Sequence, residues 1–316
     1  MSSQMKASYF DEFGELDNIK TGTLERPEAG EGEVLVRVKA AGVNPVDAAI
    51  ARGMLNEAVP AEFPAVPGWD MAGVVEECGF SARRFEEGDE VYAYARRPTV
   101  QHGTFAEYVA IPESYLAHRP QQVSMEESGG IPLVGLTAYQ ALFQFGNLQE
   151  GHTLLILGAS GGVGTLAIQL AKAKGATVIG VASGRNQEYM AGLGADETID
   201  YSAGDVGEQV EEVAPEGIDF IFHCSRGNSL KQSISTLNSG GQLVSITNRN
   251  PDVPDDISFQ YVFVEPNAKQ LQKIKELADE GHIEVPISQT YSLEETGKAL
   301  REIESLHSRG KTIITP

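Results

Sequence analysis

The sequence predicts an α/β protein with two parts: a doubly wound parallel sheet and a smaller, partly closed β domain. Residues 153–185 read strand, glycine turn, helix and strand, the unit that binds dinucleotides. Before about residue 125 there are many short strands with turns at close intervals, as in small β barrels. Beyond it helices and strands alternate, and that change marks a domain boundary. A length of 316 residues also exceeds a usual single domain.

Within the core unit, Thr153–Leu157 is an apolar run that reads as a buried strand. From Thr165 a helix continues through Leu166, Ile168, Leu170 and Ala171 to a stop at Lys174–Gly175, and Val178–Ala182 is a second buried strand. Between them Gly161, Gly162 and Gly164 let the backbone bend sharply and approach a pyrophosphate, whose charge rests on the helix N–H groups. Against G-x-G-x-x-G the chain reads A-S-G-G-V-G, with Ala159 in the first glycine's place. A lone glycine motif is weak evidence; the flanking strands and helix make it specific.

The end of the second strand bears on the cofactor. An NAD site places an Asp or Glu there for the ribose 2′-hydroxyl. This chain has Ser183-Gly184-Arg185, with no carboxylate until Glu188. Arg185 with the Ser183 hydroxyl suits a 2′-phosphate, which favours NADPH; the plain reading is a surface arginine in a polar turn.

Composition excludes other classes. The formal charge of −21 argues against nucleic acid and anionic membrane surfaces, and leaves a salt-rich habitat open. No apolar stretch has membrane-spanning length, and MSSQMKASYFDEFGE lacks the plan of a signal peptide. Two cysteines, Cys78 and Cys224, make neither a disulfide framework nor a four-cysteine zinc site, so a reducing, cytoplasmic setting is expected. The six histidines, His102, His118, His152, His223, His282 and His307, show no metal-binding spacing and read as surface or polar-core residues.

Along the chain, Met5–Phe10 and Glu33–Ala41 alternate apolar and polar residues as half-buried strands do, and further strands are expected at Val74–Glu77, Glu90–Ala95 and Gly103–Ile111. The second half continues with helices at Asn186–Leu193, Val206–Val213 and Ser229–Leu237. Its strands fall at Glu197–Asp200, Phe220–His223 and Gly240–Ile246. Ile257–Val264 is long, apolar and aromatic; Lys269–Ala278 and Glu294–Leu306 are amphipathic helices. Lys311–Thr315 is a last strand, expected to return to the first domain.

The series GVNPVD (42–47), PGWDMAGVV (67–75), GDEVYA (88–93), GTFAEYVAIPE (103–113), GLTAYQAL (135–142), GASGGVGTLAIQLAK (158–172), LGADETIDY (193–201) and SRGKTI (308–313) covers essentially the whole chain. It resembles the zinc-independent, zeta-crystallin-like quinone oxidoreductases of the medium-chain dehydrogenase/reductase superfamily. The resemblance implies a GroES-like catalytic domain, a partly closed β-barrel over residues 1–125 and 266–316, and a Rossmann domain over 126–265. It further implies an NADPH-dependent enzyme, with hydride passing to a quinone or an enal or enone. Zinc-dependent alcohol dehydrogenases carry a catalytic Cys where this chain has Asn44 and a Gly-His-Glu at Gly68-Trp69-Asp70, so a metal-free protein is expected. Without zinc, alcohol oxidation loses its Lewis acid, and an electron-poor acceptor remains.

By the same resemblance Asn44 and Asp47 lie beside the nicotinamide, where Asn44 suits donation to a substrate carbonyl or enolate; by residue type alone Asn44 is a turn residue before Pro45. Thr137, Ile246, Phe263 and Val264 correspond to the nicotinamide side, Ser160, Gly161, Gly162 and Val163 to the pyrophosphate turn, and Ser183, Arg185 and Tyr201 to the 2′-phosphate and adenosine. The 257–264 segment resembles the edge strand of a homodimer, although an isolated apolar strand is more often core.

Two stretches depart from the family. Ala48–Leu55 has no tyrosine to serve as acid, and His223-Cys224-Ser225-Arg226-Gly227 replaces Asp-Thr/Ser-Val-Gly-Gly. Cys224 reads as a redox-sensitive thiol or, more plainly, as a small buried residue. The alternatives are an enoyl-thioester reductase, with Arg83-Arg84 or Arg96-Arg97 as its basic patch, and a non-catalytic NADPH-binding sensor.

Overall fold

The computed structural model describes residues 3–305 and 309–316, so Leu306, His307 and Ser308 of the sequence readings lie outside the described residues. The chain forms two compact units. One runs to Leu133 and takes back Glu265–Asp279 and Val285–Pro316; the other holds Val134–Val264 and Glu280–Glu284.

In the first unit β1 (Gln4–Tyr9) and β2 (Lys20–Glu25) form an antiparallel pair. There follow β3 (Glu33–Val43), α1 (Pro45–Ala51), β4 (Ala61–Val66), β5 (Asp70–Cys78) and β6 (Glu90–Tyr94). Then come β7 (Val100–His102), β8 (Tyr108–Pro112), β9 (Leu116–His118) and α2 (Met125–Gly130), which begins with a capping box between Ser124 and Glu127. The strand expected at Gly103–Ile111 starts only at Tyr108. Its first residues turn instead against the Pro67–Gly68 segment, where Phe105 N–H donates to the Pro67 carbonyl and Thr104 N–H to that of Gly68.

The second unit opens in α3 (Pro132–Tyr139), which runs into a π-helical turn at Gln140–Phe145. Its elements are β10 (Thr153–Leu157), α4 (Gly162–Ala173), β11 (Thr177–Ala182), α5 (Gln187–Gly192), β12 (Glu197–Asp200) and α6 (Val206–Val213). After these come β13 (Ile218–His223), α7 (Ser229–Ser233), β14 (Leu237–Ser245) and β15 (Ser258–Tyr261). The six strands are parallel in the order β12-β11-β10-β13-β14-β15. Order reverses between β10 and β13, the switch point at which such sheets bind ligands. On one face Leu155, Leu157, Ile179, Val181, Ile199 and Leu243 pack beneath Val206 and Val210, one helical turn apart on α6. Leu154 and Ile156, which alternate with them, are buried as well, as strands of a sheet covered on both sides are.

The long strand expected at Ile257–Val264 is shorter: only Ser258–Tyr261 pairs, at the sheet edge beside β14. The helix expected at Ser229–Leu237 ends at Ser233 and tightens into a 3₁₀ turn over Ile234–Thr236, where Ser233 and Thr236 hydroxyls bond back to main-chain carbonyls.

The chain then returns to the first unit through α8 (Ala268–Asp279), β16 (Ile287–Ser292), α9 (Thr296–Glu304) and β17 (Lys311–Thr315). β17 pairs antiparallel with β3 and parallel with β16, completing a seven-stranded sheet. Its path runs β16-β17-β3-β5-β6-β9, with β8 also on β3. The path keeps two ends, so the sheet is GroES-like without closing as a barrel.

Candidate functional site

The site residues fall in two groups, one in each unit. In the second unit β10 ends at Leu157 and Gly158 turns the chain at φ +93°. Gly161 is the N-cap of α4, and no side chain caps that helix. Its first N–H groups are therefore left for a ligand. A Cβ on Gly161 would meet only the Gly158 carbonyl, at 3.6 Å, whereas one on Gly164 would lie 2.4 Å from that carbonyl and 2.5 Å from Ala159 Cα. Glycine at 164 is what lets the helix start so near the strand. Ala159 is tolerated in the first glycine's place because Gly180 of β11 faces it: a Cβ there would stand 3.2 Å from Ala159 Cβ. This cradle of open backbone at a bare helix N-terminus fits the diphosphate of a dinucleotide.

Beyond β11, Ser183 enters a 3₁₀ turn over Gly184–Asn186 that contains Arg185. The Asn186 amide donates to Ser160 Oγ at 3.0 Å and to Ser183 Oγ at 3.1 Å, so this turn is tied to the glycine turn. Tyr201, half-exposed, donates its N–H to the Ala182 carbonyl and so stands beside the same strand end. Thus Ser160, Gly161, Gly162, Val163, Ser183, Arg185 and Tyr201 are brought together. The sequence reading missed Asp200, the last residue of β12, paired in register with Ala182. A Cβ on Gly184 would lie 2.5 Å from Asp200 Oδ2. Hydrogen bonds from the Ser202 hydroxyl and main chain hold this carboxyl below its usual range, so an ionised acid stands by the turn on a neighbouring strand.

At the switch point β13 ends in His223, opposite Leu157. Ser245 Oγ accepts main-chain N–H groups from Asn248 and Thr247 and shares a hydrogen bond of 3.0 Å with His223 Nδ1. Burial pushes the His223 pKa down to about 4, so the ring is neutral at physiological pH, a polar-core histidine. Cys224 places its thiol 3.1 Å from the Leu157 carbonyl, and burial pushes it up to about 12. That removes the thiolate a redox sensor requires and favours the plainer reading. Ile246 donates its N–H to the His223 carbonyl. Thr137 and Val264 are buried, and Phe263 is 39% exposed.

The second group lies in the first unit. Asn44 is the N-cap of α1, with a capping box to Asp47, whose Oδ2 accepts the Asn44 N–H at 2.8 Å. The Asn44 side chain sits between two partners. Its Nδ2 donates to Asp70 Oδ2 at 2.8 Å and, at 3.4 Å, to the Gly42 carbonyl; its Oδ1 accepts from Lys311 Nζ at 2.6 Å. Lys311 also donates to the Val43 carbonyl at 3.1 Å and lies 3.6 Å from Asp70 Oδ2. Asp70 Oδ1 accepts the Leu133 N–H. Asn44, Asp47, Asp70 and Lys311 are all buried. Asn44 is therefore no open donor: one amide hydrogen is committed to Asp70, and the other is held by the long contact to Gly42.

Residues 30–121 match the model of the alcohol dehydrogenase GroES-like domain, and residues 193–314 match that of a zinc-binding dehydrogenase. A chloroplastic quinone-oxidoreductase homolog from Spinacia oleracea is 31% identical over 320 residues, spanning 96% of this chain and 95% of that protein. The chloroplastic NADPH-dependent alkenal/one oxidoreductase of Arabidopsis thaliana is 32% identical, over 99% of this chain and 80% of the relative. Among solved structures, the quinone oxidoreductase from Coxiella burnetii superposes with a TM-score of 0.86 at 30% identity, covering 99% of both chains.

The chain belongs to the quinone oxidoreductase-like family of medium-chain dehydrogenases/reductases. It is an oxidoreductase of the medium-chain type. In this family member Trp69 packs edge-on against Tyr94, and Asn44 and Asp70 are bridged by a lysine. Among the described residues no three His, Cys, Asp or Glu side chains converge in a way that could hold a metal ion.

Burial raises the Asp47 carboxyl to about 8 and Asp70 to about 6, and lowers Lys311; attraction within the group offsets only part of that cost. The folded oxidoreductase thus keeps a proton on Asp47 that the unfolded chain releases above its ordinary value of 3.8. Since the native state binds the extra proton, stability attributable to Asp47 is lost as pH rises from that value towards 8. Asn in its place mimics the protonated form and removes this slope. Asp47→Asn is expected to gain melting temperature relative to the parent on going from pH 5 to pH 8.5. Parallel melting curves across that range would contradict a buried, protonated Asp47.

Proposed function

We propose that this protein is an NADPH-dependent, metal-independent reductase of quinones or α,β-unsaturated carbonyls in a reducing compartment such as the cytoplasm. The observation that carries the reading is the bare N-terminus of α4 beside a turn that presents Ser183 and Arg185 and has no acid on the end of β11. The nicotinamide nucleotide supplies a hydride when bound. The residues around the turn hold its diphosphate on helix N–H groups, and Arg185 with the Ser183 hydroxyl takes the 2′-phosphate. In the first unit the second amide hydrogen of Asn44, held only at 3.4 Å by Gly42, is the one a substrate oxygen can recruit, and there it stabilises the negative charge developing on the acceptor. Thr137, Ile246, Phe263 and Val264 are assigned to the nicotinamide side on the resemblance.

The acceptor class follows from relatives named for quinones and alkenals, and from the absence of a zinc-ligand pattern at Asn44 and Trp69-Asp70. The arginines named for the thioester alternative are engaged within the first unit and keep their charge. Arg83 and Arg84 cap Glu113 with their main-chain N–H groups and donate their guanidinium hydrogens to carbonyls, while Arg97 pairs with Glu33.

Purified protein with NADPH and EDTA is expected to reduce a quinone or an enal and to leave an enoyl thioester largely untouched. Binding of NADPH without turnover of any acceptor would return the sensor reading, and activity abolished by chelator would refute metal independence. Arg185→Ala is expected to raise the KM for NADPH at least tenfold, about 1.4 kcal/mol, with NADH nearly unaffected. Equal losses with both cofactors would remove the phosphate role. We also infer a homodimer through the edge strand β15; a monomer by sedimentation at micromolar concentration would end that inference.

A further inference from the structure

We propose that Lys311, from the last strand of the chain, is the positioning residue of the Asn44 donor: it fixes which way the amide faces and polarises it. The proposal rests on the reading of Asn44 given above.

An asparagine amide can be flipped at little steric cost, so its direction is set by its partners. Here the partners differ in kind. A lysine ammonium can only donate, and it stands 2.6 Å from one end of the amide; an ionised carboxylate can only accept, and Asp70 stands 2.8 Å from the other. Flipping would oppose an NH₂ to an ammonium and a carbonyl oxygen to a carboxylate. The orientation is thus unique, and it leaves the second amide hydrogen on the Gly42 side. The charge of Lys311 on the amide oxygen also draws electron density from the nitrogen, which strengthens the N–H as a donor in a site of low dielectric.

The ammonium itself is fully used. Its contacts are Asn44 Oδ1, the Val43 carbonyl and Asp70 Oδ2, at 2.6, 3.1 and 3.6 Å, and the residue is 2% exposed. Nothing in this geometry resembles a surface lysine that wanders into an ion pair. Because β17 pairs with the end of β3, with Thr312 opposite Val43, the strand places Lys311 directly behind the residue that starts α1.

The test compares Lys311→Met, Lys311→Arg and the double variant Lys311→Met with Asp70→Asn, using melting temperature, steady-state kinetics and hydrogen exchange of the Asn44 side-chain amide by NMR. Lys311→Met is expected to lower kcat at least tenfold with the KM for NADPH within twofold, since the phosphate turn belongs to the other unit. Arginine is expected to recover part of that loss. The double variant removes the stranded carboxylate, so melting temperature should recover while kcat stays low. Recovery of kcat together with stability would show a merely structural lysine and overturn the proposal. The amide readout separates this from failure of the functional reading. If the parent turns over no acceptor, the reductase assignment fails, but slow exchange of the Asn44 amide in the parent and fast exchange in Lys311→Met still support positioning. Equal exchange in both overturns it.

Discussion

The approach of α4 to the end of β10 constrains the whole second unit. A helix that starts within a few ångströms of a strand's last carbonyl leaves no volume for a side chain at 164, and the Gly158 carbonyl occupies it. Once that contact is made, the helix axis is aimed along the sheet, its first N–H groups face outward, and the parallel order of the flanking strands follows from right-handed crossovers. Ala159 shows how tightly the contact is matched. The methyl group where a glycine is usual is accommodated because the facing residue on β11 is Gly180. The open backbone at the start of α4 is thus a consequence of packing and owes nothing to a charged side chain.

The first unit depends on a different kind of interaction. Its sheet is completed by the last strand, and the residue that opens that strand brings a charge into the interior. Burying Lys311, Asp70 and Asp47 together is costly, and the shifted proton affinities record the cost. What the arrangement provides is direction. A donor-only and an acceptor-only group on either side of one amide leave a single orientation, something apolar packing of equal volume cannot impose.

Local pattern made much of the fold legible. Thr153–Leu157, Glu197–Asp200, Val206–Val213 and Lys311–Thr315 stand at the expected residues because apolar periodicity and flanking turns specify them without help from distant contacts. β2, β4, β7, β9 and β16 were not legible. β2 and β16 are short and mostly exposed, and β7 and β9 are only three residues long, so none carries a period long enough to read. The segment at 257–264 misled in the other direction: its run of apolar and aromatic residues promises a long strand, yet only Ser258–Tyr261 pairs in register with β14, with one further bond from the Val262 N–H to the Ser245 carbonyl.

By itself the sequence determined the nucleotide-binding unit, since glycine spacing, strand and helix lie within one contiguous stretch and each is a local choice. It also determined that Asn44, Trp69 and Asp70 stand where zinc-dependent relatives carry other residues, because residue type is a matter of identity alone. Only the tertiary structure decided what the polar residues do. Lys311 reads as an ordinary strand-end lysine until β17 pairs with β3 and buries it against Asn44. Asp200, absent from the end of β11, enters the same neighbourhood from the adjacent strand. His223 becomes a buried, neutral ring held at Nδ1 only because β14 delivers Ser245 to its side. Each of these depends on strand register between residues far apart in the chain, and register is set by the packing of the whole sheet rather than by any single segment.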